Sequence, residues 1–132
     1  KRYLALVRGP IADEGEIELP LVHAGDHVRP AFEGEEARAA KSAFKVLGRK
    51  GVVSLVEVRL FTGVLHQVRA HLSAIGAPIV GDTRYAGREH PGLSRFFLHA
   101  ASLEFTHPVS QRVMRVESPL PPELARVRDE LL

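Results

Sequence analysis

Apolar and polar positions keep a two-residue period through the first sixty residues and then change to a helical one. Tyr3–Val7 is an unbroken aromatic and aliphatic run, closed by Gly9-Pro10, and predicts a strand. From Gly15 to Val22, Ile17, Leu19 and Leu21 fall on one face and Glu16 and Glu18 on the other, the alternation of a half-buried strand. Pro20 confines that strand to a sheet edge or a strand end, because proline has no N–H to give a central ladder. Asp26 to Glu36 mixes Pro, Gly and acids without a period and predicts a surface loop. Ser42–Leu47 and Val52–Leu60 predict two strands joined through Gly48-Arg49-Lys50-Gly51, with Glu57 and Arg59 turned to water or a ligand.

After Phe61-Thr62-Gly63, Leu65, Val68, Leu72 and Ile75 recur at the spacing of one helical face, and Gly76 closes that helix. Pro78 to Gly87 has turn chemistry, Arg95 to Phe105 is strongly apolar, and Val113–Val116 predicts a short strand. Pro121-Pro122 ahead of Glu123–Leu132 predicts a terminal helix with proline in its first turn. Strands outnumber helices, which makes the class α+β with a mainly antiparallel sheet.

Composition narrows the function classes. The 132 residues are 45% hydrophobic and 26% charged, values of a folded domain rather than a disordered chain. No cysteine is present, which excludes disulfides, thiolate zinc sites and thiol nucleophiles. No apolar run approaches the ~20 residues of a membrane span, and no signal-peptide pattern occurs. The first residue is Lys1, already within a strand-like run, so the chain is expected to be cut from a longer one, leaving apolar sheet surface uncovered.

The net charge of +2 conceals an uneven distribution. Between Arg59 and Arg112 six arginines face only Asp82, Glu89 and Glu104, and five histidines share the stretch. Such a region favours an anionic partner such as nucleic acid. The densest polar cluster is Thr62-Gly63-Val64-Leu65-His66-Gln67-Val68-Arg69-Ala70-His71, where a strand stops and a helix begins. His66 and Arg69 are three residues apart and share a helical face, so they can act on one ligand. His71 is five residues from His66, roughly 500° of rotation, and lacks the i, i+4 spacing and nearby Glu of a helical zinc site. The alternative for His71 is a histidine hydrogen-bonded beneath the sheet. No serine sits in a nucleophile elbow and no glycine-rich phosphate loop exists.

Ordered along the chain, Lys1-Arg2-Tyr3, Val7-Arg8-Gly9, Gly15-Glu16-Ile17, Pro20-Leu21, Thr62–His71, Gly76-Ala77-Pro78-Ile79, Gly81-Asp82, Tyr85, Leu98-His99-Ala100, His107-Pro108 and Pro119-Leu120-Pro121 resemble the RluA-type RNA pseudouridine synthases, nearly end to end. The resemblance is to the C-terminal part of one catalytic domain, residues 1–132, with a mainly antiparallel mixed sheet flanked by a few helices.

It implies isomerisation of a uridine in structured ribosomal or transfer RNA, with the base flipped from the helix, in the cytoplasm and without metal or organic cofactor. By position, Tyr3 packs on the flipped base and takes part in proton transfer, and Arg69 orients a catalytic aspartate. Leu98 lies beneath the uracil, and His66 and Gln67 lie near the site wall or the RNA backbone. In the full-length protein Arg69→Ala is expected to cut turnover severely and leave the fold largely intact.

Two departures accompany the likeness. The family's His-Arg-Leu-Asp aspartate precedes the Tyr3 segment and is not in this chain, so the chain alone is expected to be inactive. Val64 stands where the family's Thr-Gly-Arg has arginine, which removes a contact to phosphate or carboxylate. Beside the enzyme reading stand two others: an RNA-binding module without the reaction, for which Val64 speaks, and a binding domain for protein or an acidic ligand.

Overall fold

The computed structural model describes all 132 residues. The strand Arg2–Arg8 (β1) is apolar at successive positions, and Ala5, Leu6 and Val7 are all fully buried, so both of its faces are covered. Seven further strands follow: Glu14–Glu18 (β2), Leu21–Ala24 (β3), His27–Pro30 (β4), Lys41–Lys50 (β5), Val53–Leu60 (β6), Leu98–Thr106 (β7) and Val113–Glu117 (β8). The helices are Gln67–Ala74 (α1) and Pro122–Leu131 (α2), with a single 3-10 turn at Thr83–Tyr85. Six strands form one sheet in the order β2-β5-β6-β1-β7-β8, and every pairing in it is antiparallel. The expected α+β class holds.

The segment predicted as one strand from Gly15 to Val22 is broken at Leu19-Pro20. Its first half is the edge strand β2, and its second half leaves the sheet to pair with β4. The expected loop from Asp26 to Glu36 therefore contains a strand. β3 and β4 close over Gly25-Asp26 with Gly25 at φ 68°, and Leu21 and Val28 bury the inner face of this hairpin. With Val28 the only strong apolar residue in β4, no alternation exists to reveal it. The hairpin between β5 and β6 is also displaced from its expected place. β5 runs through Gly48-Arg49-Lys50 after an irregularity between Val46 and Gly48, and the turn is Gly51-Val52.

α1 starts later than the periodicity predicts. Leu65 lies outside it and is exposed, while Val68 and Leu72 seat the helix on the core. Its end is a Schellman motif: Gly76 N–H bonds Ser73 O (3.0 Å), Ala77 N–H bonds Leu72 O (3.0 Å), and Gly76 takes φ 86°. The chain then returns to β1. Val80 N–H donates to Leu6 O (2.9 Å) and Arg8 N–H to Pro78 O (3.1 Å), so Pro78–Val80 occupies the β1 edge beyond the reach of β7. This return places Asp82 at the foot of α1. At the far side of the sheet, Leu103 and Phe105 of β7 and Val113, Met114 and Val116 of β8 are exposed.

Candidate active site

Sheet register brings the first site residues together. Tyr3 lies opposite Val58 and Leu98 opposite Ala5, so Tyr3, Leu98 and Leu60 project from one face of three adjacent strands. α1 lies on that face. Together with Val64, His66, Gln67, Val68, Arg69 and Phe96 these side chains line a cavity of about 340 Å³. All five residues singled out for the site, Tyr3, His66, Gln67, Arg69 and Leu98, border this one space.

Arg69 is held from three sides. Its Nε donates to Asp82 Oδ2 (2.9 Å) and its Nη2 to Asp82 Oδ1 (2.8 Å), a bidentate fork. The guanidinium carbon lies 4.2 Å from the Phe96 ring centre and 4.8 Å from that of Tyr85. Asp82 is 2% exposed and the Arg69 side chain 12%. The hydrogen bond to Asp82 raises the proton affinity of Arg69 still further. Its Nη1 has no partner within the protein, and no buried side-chain nitrogen or oxygen is left unpartnered, so this second edge of the fork remains accessible.

Two glycines make the Asp82 cradle. A Cβ on Gly81 would stand 2.7 Å from Arg95 O and 3.1 Å from Phe96 Cα, so its absence lets the Phe96 backbone approach. A Cβ on Gly87 would collide with Ile79 O and with the Asp82 backbone, where Gly87 N–H bonds Asp82 O at 2.7 Å. Arg95 donates to Leu98 O (2.9 Å) and pins the start of β7 at the rim.

Behind the pocket a chain of hydrogen bonds fixes the junction of β6 and α1. Lys41 N–H donates to Thr62 Oγ1, whose hydroxyl donates to Gln67 Oε1 (2.7 Å); Val64 N–H donates to the same oxygen. Gln67 Nε2 donates to Lys41 O (2.9 Å) and Ser42 Oγ (3.0 Å). His71 Nε2 bonds Leu19 O (2.9 Å), which fixes its proton there and leaves Nδ1 to accept from Ser42 Oγ (2.9 Å). Gln67 thus adds surface to the wall, but its amide is fully engaged inward and has no donor to offer RNA. His71 is the buried, hydrogen-bonded histidine that its spacing allowed, and burial lowers its pKa against the opposing bond from the Leu19 carbonyl.

His66 precedes α1 with a left-handed backbone, φ 53° and ψ 24°, strained for a residue with a side chain. Its Nδ1 lies 2.9 Å from Tyr85 Oη. Burial first, then the nearby Arg69 and Arg84 charges, push its pKa down and keep it neutral. Val64, 9% exposed, packs with Leu21, Val28, Ala40, Ala70 and Tyr85 in a second apolar cluster, so it acts there as a packing residue.

The partners of Arg69 are what sequence reasoning missed. Asp82, Tyr85 and Phe96 build its cradle; the only signal for them was the Gly81-Asp82 and Tyr85 turn chemistry, which carries no indication of what it faces.

The chain has known relatives. The family model described as RNA pseudouridylate synthase matches residues 1–74, more than half of the chain. The chain belongs to that family. A pseudouridine synthase relative from Chloroflexus aurantiacus, named an uncharacterized RNA pseudouridine synthase, is 42% identical over 133 residues, covering 99% of this chain and 42% of its own. The ribosomal large subunit pseudouridine synthase C of Escherichia coli K12 is 37% identical over 144 residues, covering 99% and 44%. The chain therefore spans less than half the length of these relatives. Among solved structures, human RNA pseudouridylate synthase domain containing 1 superposes with a TM-score of 0.78 at 31% identity, covering 94% of this chain and 56% of that one. Human RNA pseudouridylate synthase domain containing 4, at TM-score 0.80 and 21% identity, shares the fold.

Proposed function

We propose that residues 1–132 form the C-terminal part of one catalytic domain that converts a uridine of structured RNA, ribosomal or transfer, to pseudouridine in the cytoplasm. The observation that carries this reading is the convergence of Tyr3, Leu98 and the free edge of Arg69 on one cavity. Leu60, Val64, Val68, Phe96 and Leu98 offer apolar walls for the faces of a flipped pyrimidine, and Tyr3 offers an aromatic ring with a hydroxyl at its rim.

The reaction is an isomerisation. The bond from ribose C1′ to N1 breaks, the base turns, and a bond from C1′ to C5 forms; the C5 proton leaves and N1 gains one. None of the nine side chains around the cavity is an acid. Asp82 is 2% exposed and does not border the cavity, so it is not assigned as the reacting carboxylate. In this reading that carboxylate is carried outside residues 1–132 and meets the open edge of Arg69, which keeps it ionised in a site shielded from water. Arg69 then bridges two carboxylates, one that fixes it and one that it orients. In this reading Tyr3 Oη relays the proton that leaves C5.

The test is the full-length protein with large-subunit ribosomal RNA and transfer RNA substrates carrying uridine tritiated at C5. Release of tritium together with pseudouridine in the digest supports the reading, and salt-sensitive RNA binding with no release supports a binding module instead.

A further inference from the structure

The strained histidine at the head of α1 has one ring nitrogen engaged and one free, and the engaged one determines what the free one can do. Tyr85 is buried, and its hydroxyl oxygen accepts the backbone N–H of Val28 at 3.0 Å. Of the two partners of the hydroxyl, only His66 Nδ1, at 2.9 Å, can accept the phenolic proton. A proton directed at Nδ1 requires a lone pair there, so the imidazole carries its own hydrogen on Nε2. Nε2 has no partner in the protein, and since no buried side-chain nitrogen is left unpartnered it is accessible, on a residue that lines the cavity.

Resting on the uridine reading of that cavity, we propose that His66 is a substrate-contacting residue whose Nε2–H donates to a carbonyl oxygen of the flipped uracil, with Tyr85 setting its tautomer. Arrangement and chemistry agree. A planar ring bearing two carbonyl acceptors fits apolar walls with a fixed donor at their edge. The surroundings suit a neutral ring: burial first, then the Arg69 and Arg84 charges, outweigh the opposing pull of Asp82 and Asp26. The donor cannot become an acceptor without surrendering the bond to Tyr85. Set against O4, it rejects cytosine, which carries an amine at that position. The left-handed backbone at His66 is the local strain that aims the ring, in keeping with strain concentrating at functional positions.

Two measurements on the full-length protein test this, one of them independent of turnover. Imidazole nitrogen NMR, with His66 assigned by comparison with His66→Gln, is expected to show a neutral ring protonated at Nε2 at pH 7; the Nδ1–H tautomer or an imidazolium overturns the proposal. In the assay, RNA with 2-thiouridine or 4-thiouridine at the target replaces one carbonyl by a poor acceptor. One of the two is expected to lower kcat/KM about tenfold in the native enzyme and not in His66→Ala, as for the loss of one hydrogen bond. Equal penalties in both enzymes for both analogues overturn it. Tyr85→Phe, which also leaves the Val28 N–H unpaired, is expected to lower turnover more in the native enzyme than in His66→Ala. A protein with the Nε2–H tautomer that forms no pseudouridine instead defeats the synthase reading, and uracil as the ligand with it.

Discussion

Asp82 grips Arg69 through two parallel hydrogen bonds of 2.9 and 2.8 Å, thirteen residues apart in sequence and both removed from bulk water. Removing either partner strands the other. Breaking a buried pair in this way destabilises by ~3–5 kcal/mol. Arg69→Ala and Asp82→Ala are each expected to lower stability by about 3 kcal/mol, and the double variant by less than the sum. Urea unfolding of the full-length protein checks this. The sequence-based expectation that Arg69→Ala leaves the fold largely intact took no account of the carboxylate behind the guanidinium, and the urea measurement decides between the two. Arg69→Lys keeps the charge and loses the fork, so it isolates orientation from folding: turnover falls while the unfolding midpoint moves less.

Tyr3 contributes a ring and a hydroxyl, and these separate experimentally. Tyr3→Phe keeps the wall of the cavity, so KM should hold while kcat falls about a hundredfold if the hydroxyl moves the proton from C5. Tyr3→Ala removes the wall as well and raises KM. Equal kcat for Tyr3→Phe and the native enzyme assigns Tyr3 to packing alone.

How much of this was legible follows from where each interaction lies along the chain. β1 was readable from its continuous apolar run and β6 from Val53, Leu55, Val56, Val58 and Leu60 between Ser54, Glu57 and Arg59, and Gly76 marks the end of α1 by its backbone requirement. β4 was not, since a single Val28 supplies no period and its pairing with β3 depends on Pro20 breaking the preceding strand. Leu65 has the right spacing for α1 but precedes His66, whose left-handed backbone keeps it out of the helix, so the fold and not the pattern decides. At the site, the positions of Tyr3, Arg69 and Leu98 followed from the family resemblance. The second carboxylate on Arg69 and the tautomer of His66 depend on bonds between distant segments, and no local spacing encodes them.

The Asp82 turn offers a test of how tightly geometry controls the site. Gly87→Ala places a methyl group against Ile79 O and the Asp82 backbone, which cannot swing aside as a side chain could. A loss of about 3 kcal/mol is expected, with turnover falling further than stability alone explains because Asp82 moves. Gly34→Ala is the control. Its φ of 84° is positive, unlike that of Gly87, but open space surrounds it and it does not line the cavity, so it should lose only the local backbone cost with turnover unchanged.

Acid should weaken the fold through His71 and His66 together. Both have pKa values below the ordinary 6.5, His71 from burial and His66 from burial and the nearby arginines. The unfolded chain therefore binds protons that the folded one refuses. Their contribution to stability is complete above pH ~6.5 and declines as pH falls through the lowered folded values. His71 dominates the expected effect because both of its nitrogens are engaged, and a proton on Nδ1 would confront the Ser42 hydroxyl that now donates to it. That hydroxyl must then turn away, unsettling the Gln67 chain that fixes the β6–α1 junction. Thermal unfolding between pH 8 and pH 5 is expected to show a falling midpoint in the native protein and a shallower decline in His71→Gln, from a lower starting point. A parallel decline in both proteins would place the acid sensitivity elsewhere.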